Sequence, residues 1–309
     1  MNTKSEEQPL VSIIMNCYNS ETYLHESINS VLSQTYQNWE LIFWDNQSSD
    51  LSKKIFNNFK DKRLNYYYAN EHTTLYCARN LAINKSKGEY IAFLDADDWW
   101  DNKKLEKQMT KFAKDDVGLV FSNLYYYYQK NRKKKIFSRN KLYTGFIRKN
   151  IIKNYKIGIN STIIRKKAYE SEPKGFDAKY NIIGDYDFFV RLSKLWSFEC
   201  IQEPLTYYRI HEKNFSHQNL NLEIEELEHL HNKYTSNNFI TGSESEYLLS
   251  NINYLKCKKL IFDKKRLKAL LNFFSIKNNS FKLKLLIRIF VPNFLIKWSH
   301  EHVGKHVFF

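Results

Sequence analysis

Cysteine is scarce in this chain. Four occur among 309 residues, at Cys17, Cys77, Cys200 and Cys257, and none forms a C-x-x-C pair or a zinc-type spacing. A structural zinc site is therefore not expected, and scattered thiols suit a reducing cytoplasm. Long apolar runs are missing too. No stretch reaches the ~18 residues of a membrane span, and the polar opening MNTKSEEQPL does not read as a signal peptide. Glycine and proline are few, 8 and 4, which we read as a genome-composition bias. Acidic residues thin out toward the end: between Asn251 and His300 the only one is Asp263. No internal repeat is present.

What the chain does contain is 43% apolar residues, enough for a sizeable core. Its length suits one large α/β domain with an appendage, or two domains. The formal net charge of +15 would suit nucleic acid, an anionic membrane surface or a phosphorylated small molecule. The excess lies mainly in the C-terminal region, which argues against one basic groove along the whole protein. There, lysine and arginine alternate with Leu, Ile, Phe and Trp298. Such a mixture fits contact with an anionic membrane, or a helical subdomain with solvated lysines. The tyrosine run 125–128 lies in a strand candidate, so its rings point alternately to opposite faces. That is a poor stacking platform, and no nucleic-acid partner is expected.

The apolar pattern alternates between two periods. Residues 10–16, 39–44, 64–68 and 89–94 read as strands, and 21–35, 51–59 and 76–86 as helices between them. This order predicts an α/β fold: a mixed, mostly parallel, Rossmann-like sheet with helices on its faces. Further on, 99–115 and 185–196 read as helices, and 117–128 and 157–165 as strands. Residues 220–237 and 244–275 are helix-prone, and 281–289 fit a strand or a basic helix equally. The expected organisation is a catalytic domain over 1–218, with a donor half near 9–100 and an acceptor half over 101–218. A mainly helical, basic region follows over 219–309.

In parallel sheets ligands bind at the carboxyl ends of strands. Two polar clusters fall at such ends: Asp45-Asn46 and Asp95-Ala96-Asp97-Asp98. Carboxylates one residue apart at a strand end can share a hard cation such as Mg2+ or Mn2+, which prefers oxygen ligands and keeps positions for phosphates. Such an ion would stabilise a diphosphate leaving group. A bare D-x-D is also common as a solvated helix start.

The order VSIIMNCYNSETYLHESINSVLSQTYQNWELIFWDNQSSD, followed by ARNLAINKSKGEYIAFLDADD, resembles the family 2 glycosyltransferases of GT-A fold over roughly residues 9–216. The resemblance implies an inverting, metal-dependent transferase. Its substrate would be a nucleotide sugar, with a UDP-linked hexose or N-acetylhexosamine favoured over dTDP or GDP donors. Its acceptor would be a hydroxyl of a cell-surface glycan precursor such as a lipid-linked oligosaccharide, with polyprenyl phosphate as an alternative. A catalytically impaired nucleotide-binding relative is the other reading. The location implied is cytoplasmic, or peripheral on the inner face of the cytoplasmic membrane.

By the same resemblance Asn16 and Tyr18 would meet the base and Asn46 its edge. Two acids are usual where this chain has Asp45-Asn46. Arg79 would sit near the donor, or hold the loop by an ion pair. Asp95 would bind ribose or the donor sugar, Asp97 would ligate Mn2+ or Mg2+, and Asp98 would brace the site. In Gly184-Asp185-Tyr186-Asp187 the family's first acid is replaced by Gly184, and its second matches Asp185, the expected general base. Asp187 competes, unless it pairs with Arg191 at i+4. In Tyr208-Arg209-Ile210-His211, Arg209 would touch the diphosphate and His211 could complete the metal shell, or serve only as a structural hydrogen-bonder. Asn160, Ser161 and Gly175 match segments on the acceptor side.

Overall fold

The computed structural model describes residues 8–277 and 279–290, so Trp298 and the rest of the C-terminal end lie outside the described residues. The first third alternates strand and helix: β1 (Val11–Cys17), α1 (Leu24–Leu32), β2 (Trp39–Asp45), α2 (Ser52–Asn58), β3 (Leu64–Tyr68), α3 (Leu75–Ile83) and β4 (Tyr90–Phe93). The middle holds β5 (Trp99–Trp100), α4 (Lys104–Met109), β6 (Val117–Tyr128), β7 (Lys133–Ile136), α5 (Arg148–Lys153), β8 (Thr162–Arg165), α6 (Lys166–Glu170), α7 (Gly184–Leu192) and β9 (Ser197–Ile210). Among the described residues five helices follow: α8 (Phe215–Gln218), α9 (Leu220–Ser236), α10 (Gly242–Phe262), α11 (Arg266–Phe273) and α12 (Asn279–Phe290).

The strands join one mixed sheet in the order β3-β2-β1-β4-β8-β6-β9-β5, with β7 paired to β6. The parallel pairings are β3–β2, β2–β1 and β1–β4. Beyond β4 the sheet turns antiparallel, at β4–β8, β8–β6 and β5–β9. The parallel part is where the sequence alternates strand with helix, because a parallel return needs a crossover. Strands β1 and β2, bridged by a 2.7 Å hydrogen bond from buried Ser12 to buried Glu40, are mostly apolar and almost wholly buried, as suits strands covered on both faces. Their side chains form one core with Leu24, Ile28 and Val31 of α1 and Leu105 of α4. Gly88 admits the backbone of β1: a Cβ there would lie 2.6 Å from the Leu10 carbonyl oxygen.

Two segments differ from the periodicity, and a third, left open between strand and helix, is helical. Residues 99–115 begin not as helix but as β5, which pairs Trp99 with Tyr207 and Trp100 with Thr206. The Trp99 ring stacks on Tyr207 at 4.8 Å, and the Trp100 indole donates to the Asn160 carbonyl at 2.8 Å. These long-range contacts outweigh local helix preference. Residues 157–165 start with a 3-10 turn at Ile159–Ser161 before β8 begins. Residues 281–289 fall within α12.

The chain divides into two compact units. The first comprises the chain up to Tyr127, Ile136–Ile151 and Lys156–Arg209; the second comprises Tyr128–Lys135, Ile152–Tyr155 and the chain from Ile210 onward. The second has its own core of Tyr254, Cys257, Ile261, Ala269, Ile276, Leu285 and Ile289. Its helix α10 starts from a capping box in which Thr241 and Glu244 satisfy each other's backbone amides.

Candidate active site

β4, an interior strand, delivers the acidic run at its carboxyl end, and the run is then pinned from several sides. Leu94 donates its amide to the Ile14 carbonyl at 3.0 Å. The Ser27 hydroxyl on α1 reaches the carbonyls of Ala96, at 2.9 Å, and Asp98, at 2.5 Å. Asp98 is buried: one carboxylate oxygen accepts from the Arg209 amide at 2.7 Å, the other from the Asn160 side chain. It braces the loop, as expected. Asp95 and Asp97 keep half-buried carboxylates. Burial, and then the charge of Asp97, push the Asp95 carboxyl up, against the pull of Arg79. Asp98 is raised far more, by burial and then by Asp97 and Asp95.

Arg209 is 3% exposed and reaches this loop from β9. Its Nε donates to the Asp97 carbonyl at 2.8 Å, and Nη2 pairs with Glu26. Its guanidinium lies over Tyr23 and Trp99, each 4.4 Å from the ring centre. These contacts fix the backbone of Asp97.

Strands β1 and β2 end side by side, with Asn16 in register with Trp44 and Cys17 with Asp45. Asp45 is fully buried and accepts from the Ser48 amide and the Tyr66 hydroxyl, at 2.7 and 2.6 Å. Asn46 uses both ends of its amide on one loop: Nδ2 donates to the Thr73 carbonyl at 2.9 Å, and Oδ1 accepts from the Thr73 amide at 3.2 Å. Tyr18 is 54% exposed and faces His72, ring centres 4.4 Å apart. The Asn16 Nδ2 is buried and has no hydrogen-bond partner among the described residues. An orphaned donor at a strand end is costly unless something binds there. His72 was not singled out in the sequence; an exposed residue between a helix start and a turn carries no periodic signal.

Asp185 occupies the first turn of α7, half-buried. Its Oδ1 accepts from the Tyr186 amide and from the Tyr76 hydroxyl, both at 2.9 Å. Asp187 is fully buried and paired at 2.9 Å with Arg191, which also holds Glu172 and the Gly175 carbonyl. Asp187 therefore ties α7 to the preceding loop, where Gly175 turns with φ +54° and a Cβ would strike the Tyr169 hydroxyl. Arg79 is buried, with Nη2 on Asp95 at 2.6 Å and its guanidinium 5.0 Å from the centre of the Tyr76 ring. Asp95 and Asp185 both raise its pKa, against burial. Arg79, Asp95 and Asp185 are thus gathered in one cluster, with Tyr76 among them.

His211 lies in the second unit, where its amide donates to Asn214 Oδ1 at 2.6 Å and its Nδ1 accepts from the Lys213 amide at 3.2 Å. Among the described residues no group of three or more His, Cys, Asp or Glu side chains is gathered to hold a metal unaided. The donor set at Asp95–Asp97 nonetheless suits a hard cation. It is all oxygen, and burial and then the charge of Asp97 raise the Asp95 carboxyl even with Arg79 beside it.

Comparison with known proteins agrees with this fold. A family model described as "Glycosyl transferase family 2" matches residues 12–171, more than half of the chain. The Escherichia coli protein named UDP-Glc:alpha-D-GlcNAc-diphosphoundecaprenol beta-1,3-glucosyltransferase WfgD is 41% identical over 114 residues, which are 37% of this chain and 45% of that one. The chain spans less than half the length of the first curated relatives it matches, 47% and 41%. Among solved structures, Staphylococcus aureus TarS in complex with UDP-GlcNAc superposes with a TM-score of 0.58 at 16% identity, covering 96% of this chain and 92% of that one. A mannosyltransferase from Pyrobaculum calidifontis in complex with GDP-Man and Mn2+ gives 0.59 at 14% identity, covering 98% and 83%. The fold is that of GT-A glycosyltransferases, and the chain belongs to glycosyl transferase family 2.

Proposed function

We propose that this chain transfers a hexose or N-acetylhexosamine, with inversion, from a UDP-sugar to a hydroxyl of a lipid-linked precursor of a cell-surface glycan. The observation that carries this reading is the single cluster that gathers Asp95, Arg79 and Asp185. It gives a donor-side acid and an acceptor-side base one shared cation. The wording of the WfgD name, with its UDP-Glc donor and undecaprenol-linked acceptor, supports the substrate class.

Asn16 and Tyr18 bind the nucleotide in this reading. Asn16 supplies its orphaned donor, and Tyr18 supplies an exposed ring face. Asn46 shapes the base pocket through Thr73. Asp95 takes ribose or the donor sugar, oriented by Arg79. Arg209 acts through the Asp97 backbone. Asp97 would hold Mn2+ or Mg2+, and such an ion would neutralise the diphosphate. Asp185 accepts the proton from the acceptor hydroxyl while its oxygen bonds to the anomeric carbon. The bond from that carbon to the β-phosphate oxygen breaks, and UDP leaves with the electron pair.

The second unit supports a peripheral membrane role. Leu267 and Leu271 on α11 and Phe274 after it are 81%, 78% and 79% exposed, at helical spacing and among Lys264, Lys265 and Lys268. No described helix is long and apolar enough to cross a membrane.

The test is UDP release from UDP-glucose and UDP-GlcNAc, with GDP- and dTDP-sugars alongside, in Mn2+ or Mg2+. Asp97→Ala should abolish metal-dependent turnover, and Asp185→Asn should lower it by about two to four orders of magnitude. Full turnover in either variant removes that assignment, and no turnover in the wild type favours an impaired relative.

A further inference from the structure

We propose that Tyr76 takes over the place of the acid that this chain lacks at position 184, and that it positions the Asp185 carboxylate for proton removal. The inference rests on the reading of Asp185 as the base.

Gly184 opens α7, a helical position where glycine is a poor choice by propensity. Its backbone does not need glycine, since it is absent from the positive-φ residues. The reason is steric: a Cβ on residue 184 would lie 2.4 Å from Tyr76 Cδ2, and 2.6 Å from Cε2 and Cγ. The phenol ring fills the volume that a side chain at 184 would need. The exchange is therefore mutual. With the Tyr76 ring in this place a side chain at 184 would collide with it, and Gly184 leaves the ring its room.

The ring brings a hydroxyl to the base. Tyr76 is 2% exposed, and its hydroxyl stands 2.9 Å from Asp185 Oδ1 and 3.1 Å from the Ile182 carbonyl. A phenol has one proton, and the ionised acceptor is the stronger partner. Burial, followed by the charge of Asp185, pushes the Tyr76 pKa well above its usual value, so the group remains a donor. The other charged groups facing the pair are Arg79 and Asp95. Tyr76 and Arg79 stand three residues apart on α3, hence on one face of that helix. One helix face thus holds both acids: Arg79 the donor-side Asp95, Tyr76 the base Asp185.

The replacement has a chemical consequence. A second carboxylate at 184 would repel the charge of Asp185 and raise its pKa, whereas a phenol donor favours the ionised base. Tyr76 is a positioning residue, since it acts through Asp185.

The experiment uses full-length protein, Mn2+ and whichever of UDP-glucose and UDP-GlcNAc the wild type turns over. Tyr76→Phe removes only the hydroxyl. We expect kcat to fall about tenfold, with donor KM unchanged and the acidic limb of the kcat/KM profile moved to higher pH. Tyr76→Ala should lose more, and the double variant Tyr76→Ala/Gly184→Glu should recover activity over Tyr76→Ala, because the acid then enters the vacated volume. Gly184→Glu alone should be worse than wild type in activity and melting temperature. A Tyr76→Phe enzyme with wild-type kcat and pH profile overturns the proposal, as does a double variant no better than Tyr76→Ala. Asp185→Asn separates the two ideas. If it is inactive while Tyr76→Phe is normal, the base stands and this inference falls; if it is active, the base assignment falls and takes the inference with it.

Discussion

At the scale of single residues, positions 46 and 184, where the resemblance implies acids, each have a local physical reason to hold something else. Position 184 is glycine because a ring occupies the space beside it. Position 46 is an amide, and its Nδ2 donates to the Thr73 carbonyl. A carboxylate has no proton to offer there. Asn46→Asp supplies the acid that the resemblance implies, yet it sets a carboxylate against that carbonyl. We expect this variant to lose about 1–3 kcal/mol of stability, the cost of a buried unsatisfied acceptor. Donor KM should rise as the loop around His72 and Thr73 loosens. Thermal unfolding with and without UDP tests this; an unchanged melting temperature would show that the amide is not needed as a donor. Some residue roles were legible in advance. The i+4 pairing of Asp187 with Arg191 follows from spacing, and Asp98 as a brace was implied by the resemblance. The role of Tyr76 was not, because its partner Asp185 is more than a hundred residues away and a tyrosine on a helix reads as core.

At the scale of elements, the parallel strands were legible because each is a short apolar run closed by polar residues. β6 and β3 match their expected ranges residue for residue. β5 and β9 were not. β5 is two residues long and exists only through its pairing with β9, and β9 is interrupted in sequence by Glu203 and Pro204. The helix that was expected to begin at 99 starts only at Lys104, and that start carries a liability. Lys104 is fully buried, its ammonium lies 4.0 Å from the Trp100 ring centre, and it has no hydrogen-bond partner among the described residues. Burial lowers its pKa well below the usual value. The unfolded chain then binds a proton that the folded chain gives up, so stability from this group rises with pH between the folded pKa and the unfolded value near ~10.4. Below that window folding bears the full cost of burying or neutralising the amine. Lys104→Met keeps the stem and removes the charge. It should gain about 1–3 kcal/mol at neutral pH, and the gain should shrink as pH approaches 10. Urea unfolding at a series of pH values checks this, and a gain that does not change with pH would point to packing alone.

At the scale of the whole molecule, charge and chemistry are distributed unequally. The acids of the candidate site lie in the first unit, while the stretch from Asn251 to His300 holds a single acid. Diphosphate binding alone would not require so many cations remote in sequence from the acidic run. An anionic bilayer would, because polybasic segments gain roughly 1 kcal/mol per lysine or arginine near such a surface. Charge alone gives loose, salt-sensitive adsorption. The exposed Leu267, Leu271 and Phe274 add the apolar part that lets a helix lie in the interface. The two contributions can be separated. Wild-type protein should sediment with phosphatidylglycerol-containing vesicles and much less with phosphatidylcholine alone, and raised salt should weaken but not abolish the binding. Replacing Leu267, Leu271 and Phe274 together by serine should leave the initial, salt-sensitive attraction and remove the salt-resistant part. UDP release in solution should be unchanged in that variant, whereas transfer to an acceptor embedded in the same vesicles should fall. If the triple variant bound and worked on vesicles as well as the wild type, the apolar stripe would have no part in membrane contact, and the lysines alone would have to account for it.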